Sequence, residues 1–183
     1  MRKPIFTLWA LFWGLGFVFA QSNDQTLRDI RAEYKIIINN LSSYKKVISD
    51  LEIQSTEGGE IIAYFDENDL KLIITEGYGE TGKNRTEYYF KNQELFFVFD
   101  QRFDYNRPIY WNKKRAEENN DNEFFDPQKT KINADRYYFD KEKLFLWLDN
   151  EKNKIDLTLG TNTIVGKGLV VHSHKLRSEL KKY

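Results

Sequence analysis

From Asp24 onward, apolar or aromatic residues recur at Leu27, Ile30, Tyr34, Ile37, Leu41, Tyr44, Ile48 and Leu51, in steps that alternate between three and four. That spacing lays a continuous stripe along one helical face. Asp24 stands where an N-cap is needed, since its carboxylate can accept from the free amides of a first turn. The expected helix covers about 24–51. The pairs Asn39-Asn40 and Ser42-Ser43 are poor helix formers and mark where it can divide in two. A strict three-four alternation also suits a seam between two helices, which would make the stripe an oligomer contact. The run Ile36-Ile37-Ile38 widens the face beyond such a seam, so the pattern favours a helix laid across a sheet.

From Gly58 the period changes. Tyr64-Phe65 is followed by four polar residues and then Leu70; the same order recurs at Tyr89-Phe90 with Leu95 and at Tyr138-Phe139 with Leu144. An aromatic run, a polar turn and an apolar run together read as a β-hairpin with a short loop. Three copies make an internal repeat. The second interval between copies is close to twice the first, and the stretch Glu117 to Glu123, made only of Glu, Asn and Asp, reads as a long loop filling it. Gly77 to Gly82 reads as the connection between the first two hairpins. Ile155-Asp156-Leu157-Thr158-Leu159 alternates like a strand, and Ile164 to His172 reads as another. Ser173 can then cap a short helix at about 174–182 with Leu176 and Leu180 on one face.

These segments imply an α+β fold: an N-terminal amphipathic helix packed on a mainly antiparallel, meander-like sheet of repeated β-hairpins at about 58–172. Tight turns between successive strands disfavour parallel crossovers. Over residues 61–148 the aromatic pair, polar turn and leucine resemble the Tyr-rich units of MORN-like and YwqK-type bacterial repeat proteins. That resemblance implies lipid or protein contacts and carries over no functional residue. The layout as a whole resembles that of secreted bacterial proteins.

The N-terminus adds an address. Arg2 and Lys3 are the only charges before Gln21, and Ile5 to Phe19 is almost wholly apolar. The run ends Val18-Phe19-Ala20, and a small Ala at −1 with a compact aliphatic Val at −3 is what a signal peptidase accepts, which places cleavage between Ala20 and Gln21. The run falls short of the roughly 20 residues that cross a bilayer as a helix, so no stable transmembrane segment is expected after cleavage. Residues 1–20 are therefore read as a signal peptide and 21–183 as one secreted or periplasmic domain. With no cysteine in the chain, neither lipid attachment at a thiol nor a disulfide framework is open to it, and the reading leans toward a bacterial envelope.

Composition then removes function classes. Lys+Arg and Asp+Glu number 28 each, which argues against nucleic acid as a partner, because that partner needs a concentrated positive field. No thiol nucleophile exists and no Gly-x-Ser-x-Gly elbow is present. His172 and His174, the only histidines, would face one side of a strand, yet no other histidine or cysteine completes a familiar metal site. Asp66 to Asp69 starts like a calcium loop, but Leu70 stands where a ligand belongs; Asn119 to Glu123 is oxygen-rich without a glycine turn. No catalytic residue, metal or cofactor is assigned. The segment Arg102 to Lys114 combines Arg, Tyr and Trp, the types that anchor interfaces, and Pro108 takes it out of the sheet. Tyr105, Arg107, Tyr110 and Trp111 are its expected contact surface. The expected function is a non-enzymatic module binding a protein or a cell-envelope polymer through the sheet or this loop. The alternatives are a small cell-wall glycan hydrolase with paired carboxylates, which needs two facing acids and one raised pKa, and a helix-mediated oligomeric structural protein.

Overall fold

The computed structural model describes residues 14–50 and 57–180, with side chains from Asn23 onward. Most of the expected export signal, residues 1–13, lies outside them, as do Leu51 and the last residues of the chain. Helix α1 is Gly14–Asn39, and seven strands follow: β1 (Lys45–Asp50), β2 (Gly59–Asp66), β3 (Asp69–Gly79), β4 (Gly82–Lys91), β5 (Glu94–Asp104), β6 (Lys131–Asp140) and β7 (Lys143–Leu148). A short helix α2 (Lys113–Glu118) sits between β5 and β6, and α3 (Gly160–Leu180) closes the described chain. The strands pair in sequence order as one antiparallel meander, so the expected α+β class with an antiparallel hairpin sheet holds.

The three sequence repeats are the hairpins β2–β3, β4–β5 and β6–β7. Each closes through two residues, and positive φ falls at Glu67, at Asn92 and Gln93, and at Lys141 and Glu142. Turns whose twist matches the strands require that geometry, and they take it here without glycine. Each hairpin also carries a register shift at its aromatic pair: Tyr64/Phe65, Tyr89/Phe90 and Tyr138/Phe139. Opposite each pair one extra residue enters the partner strand, which puts two successive side chains on one face. Phe96 and Phe97 accordingly share a face, while Leu95 and Val98 share the other.

The sheet therefore has two apolar faces. On one, Ile73, Phe90, Leu95, Val98 and Phe139 pack with Leu176 and Leu180 of α3. On the other, Leu72, Ile74, Tyr89, Phe97 and Tyr138 cluster with Ile30 and Ile37 of α1. Helix α3 crosses near the hairpin turns: the Arg177 guanidinium donates to the Gln93 carbonyl, and His174 Nε2 lies 2.7 Å from Glu142 Oε1. The helix comes close to β7 because Gly166 has no side chain; a Cβ there would lie 2.7 Å from Leu144 Cβ. Gly166→Ala should cost about 1–3 kcal/mol through this overlap, read as a lower urea midpoint.

Several sequence expectations change. The helix expected over 24–51 runs instead from Gly14 to Asn39, so that Asp24 lies within it and is not its N-cap, and Lys45–Asp50 is the edge strand β1. The Asn39-Asn40 break is real, but after a single turn of 3-10 helix over Leu41–Ser43 the chain becomes a strand, because β2 offers a free edge along Ile61 to Phe65. The strand expected at 155–159 consists of turns, with only Leu148 and Lys154 bridged. The strand expected at 164–172 is helical, and the helix expected at 174–182 is, as far as Leu180, the last part of the longer helix α3. Its β-branched residues suggested a strand, but burial follows a helical period through Val165, Leu169, Ser173, Leu176 and Leu180. Gly77 and Gly79, expected in a flexible connection, belong to β3.

Candidate functional site

Helix α3 covers only the half of its sheet face that lies nearest the hairpin turns. The other half is polar. There the alternation of β3, β4, β5 and β6 brings Thr75, Asn84, Thr86, Asp100, Arg102, Asp104 and Asp135 to one side. A depression of about 540 Å³ opens on it, lined by Thr75, Asn84, Thr86, Tyr88, Arg102 and His172 among others. Gly77, Gly79 and Gly82 leave backbone as part of its floor. Its groups include donors, acceptors and both signs of charge.

Asp100 and Asp135 stand directly opposite each other on β5 and β6. Side chains so placed have Cβ atoms about 4.5–5.5 Å apart. Thr86 Oγ1 donates to Asp100 Oδ1 at 2.6 Å. Tyr137 Oη and Trp147 Nε1 donate to Asp135 Oδ2 at 3.2 and 3.1 Å. Burial raises the Asp100 pKa above the usual aspartate value, and the Asp135 charge adds to the rise, against the Thr86 hydrogen bond. A carboxyl whose folded pKa is raised favours the fold at low pH, and that contribution is lost as pH rises through the folded pKa. Asp100→Asn keeps an acceptor for Thr86 and removes the charge. It should therefore raise the thermal midpoint at pH 7, with the gain shrinking as the pH falls through the raised folded pKa toward the ordinary value of 3.8.

The sequence-predicted loop turns mostly inward. Arg107 Nη2 donates to both oxygens of Asp121, at 3.1 and 2.9 Å, and Trp111 Nε1 donates to Asp121 Oδ2 at 3.2 Å. Tyr105 packs edge-on against Phe125, 5.1 Å between centroids. Tyr110 remains 44% exposed, next to exposed Ile109 in the chain, with the Arg115 guanidinium over its ring. Of the four named residues, Tyr110 is exposed and Tyr105, Arg107 and Trp111 are half-buried, with the Arg107 side chain still 38% exposed. The Asp121 that organises the loop comes from the acidic stretch 117–123; the backbone amide of Glu123 and then Arg107 hold its pKa below the usual range.

The two histidines do not share a side. Both lie in α3, where a separation of two residues turns them about 200° apart. His172 lies by the Tyr88 ring, 5.9 Å between centroids, and desolvation on that side lowers its pKa. Among the described residues, no three His, Asp or Glu side chains converge as metal ligands. Among them, too, no helix is long and apolar enough to cross a membrane.

The opposite sheet face carries a polar network as well. Tyr78 Oη donates to Glu60 and Glu76 at 3.0 and 2.9 Å, Arg85 bridges Glu76 and Glu87, and Tyr89 Oη donates to Glu87. Burial alone would raise the Glu76 pKa, but the hydrogen bonds from Arg85 and Tyr78 and the Lys83 charge outweigh it and lower it. Sequence patterning could not find this cluster, because its members lie on three strands and meet only through register. In comparisons with known proteins, the chain matches no family model, no curated protein and no solved structure.

Proposed function

We propose that the chain is a non-enzymatic module of the cell envelope that binds a polymer of sugar-like chemistry on the polar half of the sheet beside α3. The depression bordered by Asn84, Arg102 and His172 carries this reading. Hydroxyl-rich ligands need donors and acceptors together, and this surface offers both with little net charge. The exposed His172 ring, beside the buried Tyr88, gives it a flat face at one end. The reading includes export with cleavage between Ala20 and Gln21, which N-terminal sequencing of the secreted protein would check. It also includes α1 as the amphipathic cover of the other sheet face, with Ile30 and Ile37 on its apolar side. The three-hairpin repeat is the feature behind the likeness to MORN-like proteins, and no site residue rests on that likeness.

A second reading, hydrolysis of a wall glycan, is favoured by one observation: Asp100 and Asp135 face each other and the Asp100 pKa is raised. Glycosidase carboxylates flank the bond they cleave. These two lie side by side on one sheet surface, with oxygens already engaged by Thr86, Tyr137 and Trp147. Binding is therefore the better account.

The test is thermal melting against neutral wall-derived oligosaccharides. A ligand at about 100 times its Kd adds roughly 2.7 kcal/mol to stability. The shift should vanish in Asn84→Ala with Arg102→Ala, both exposed positions. No shift with any glycan sinks the polymer reading. Release of reducing ends, lost in Asp100→Asn and in Asp135→Asn, would replace binding with hydrolysis.

A further inference from the structure

On the face opposite the proposed glycan surface, a cleft of about 360 Å³ opens between α1 and strands β5 and β6. Its floor is apolar and aromatic, from Phe97, Phe99, Tyr138 and Tyr34. Its remaining polar character is cationic: Arg31 and Lys35, one turn apart on α1, and Arg136 on β6. No acidic residue lines it.

The three cations are uncommitted in the way that matters. Arg136 lies with its guanidinium 4.9 Å over the Phe99 ring and donates through Nη1 to the Ala134 carbonyl at 3.2 Å. Among the described residues, no ion pair engages Arg136, Arg31 or Lys35 with a carboxylate. Nearby acids are used or turned away. Glu33 on α1 is paired with Lys91 at 2.8 Å, Glu87 with Arg85 at 2.9 Å, and Asp135 points to the other sheet face. An aromatic-walled cleft this size suits a small ligand, and a few placed polar groups orient it. Three positive groups around one apolar hollow favour a ligand whose body is apolar and whose end is negative. A planar guanidinium is also suited to pairing a carboxylate or phosphate through two donors.

We propose that this cleft binds an organic anion with an apolar body, an alkyl carboxylate or alkyl phosphate, with its head between Arg136, Arg31 and Lys35 and its chain on Phe97, Phe99 and Tyr138. The site is separate from the glycan surface, and each can fail without the other. The head-group chemistry is shared by free fatty acids and by anionic lipids in a bilayer; the cleft takes single molecules.

Calorimetric titration tests this with decanoate and decyl phosphate, kept below their micelle concentrations, against the purified protein. Decanol supplies the chain without the charge, and inorganic phosphate the charge without the chain. Both anionic amphiphiles should bind, and both controls should bind at least tenfold more weakly. Arg136→Gln should weaken binding at least tenfold. So should Arg31→Gln with Lys35→Gln, two exposed positions at which the fold is not at stake. Arg102→Gln, the same charge change on the other sheet face, should leave binding intact. The proposal is overturned by equal binding of decanol or by unchanged affinity in the α1 double variant. Adsorption to phosphatidylglycerol vesicles without binding of monomeric decanoate would also overturn it, by assigning these cations to a membrane surface.

Discussion

Arg85→Ala is expected to destabilise the folded chain by about 3 kcal/mol, because it strands two acids that the fold has already taken out of water. The Glu76 and Glu87 side chains are 10% and 12% exposed, and Arg85 contacts both. Removing one member of a largely buried ion cluster costs more than the cluster contributes, since the remaining charges keep their desolvation penalty. Lys83, 3.9 Å from Glu76, and the Tyr78 hydroxyl at 2.9 Å soften the loss without replacing the bridge. The pH dependence identifies the cause. Glu76 has a folded pKa below the ordinary value of 4.5. Its contribution is therefore present above that value and is lost as the pH falls through the folded pKa. In Arg85→Ala that part of the acid-side loss should shrink. Restoration of stability by adding Glu76→Gln and Glu87→Gln would confirm that stranded charge is responsible. An Arg85→Ala variant as stable as the parent at pH 7, by urea denaturation, would show that the cluster is solvated and contributes little.

Tyr89→Ala should cost about 3–5 kcal/mol by the same measurement, since it empties the centre of one sheet face. Tyr89 has no exposed surface. Its ring meets Tyr34 of α1 at 5.1 Å, Phe97 at 5.5 Å and Phe96 at 6.3 Å. The loss combines the transfer of a large ring with the cavity left among neighbours that two strands and a helix hold in place. Tyr89→Phe separates the ring from the hydroxyl. It keeps the packing and removes the donor to Glu87, so its cost should be about 1–3 kcal/mol. Equal losses in the two variants would mean that the hydroxyl, not the ring, holds this face together.

Much of the sheet was legible in the sequence because its signals are local. Tyr-Phe, four polar residues and a leucine fall within one hairpin, and all three copies fold as two-residue turns. The bulge repeated at each aromatic pair was not legible. An extra residue on a strand looks like continued alternation until its partner strand fixes the register. The same limit explains the errors at both ends. The three-four stripe through Tyr44 and Ile48 obeys a helical period, but pairing with β2 decides that stretch, and Ile48 ends up 57% exposed. Ile164 to Val171 is β-branched enough for a strand, yet the hydrophobic face of β4 to β7 needs a cover, and α3 supplies it.

The candidate sites were legible only as residue types. The sequence named a need for two facing acids and one raised pKa, but no pair could be chosen among 28 Asp and Glu. Asp100 and Asp135 are separated by the whole loop containing α2, and only the pairing of β5 with β6 brings them together. The loop residues Tyr105, Arg107, Tyr110 and Trp111 were chosen for chemistry, and within the loop Asp121 engages two of them, Arg107 and Trp111, while Tyr105 packs on Phe125. The sequence alone determined the antiparallel hairpins and the residue types available for chemistry, because turn geometry and side-chain chemistry are properties of neighbours along the chain. Which face each side chain occupies, which charges meet and where the sheet stays uncovered were decided by the tertiary structure, because register and helix docking are set by contacts between residues far apart in sequence.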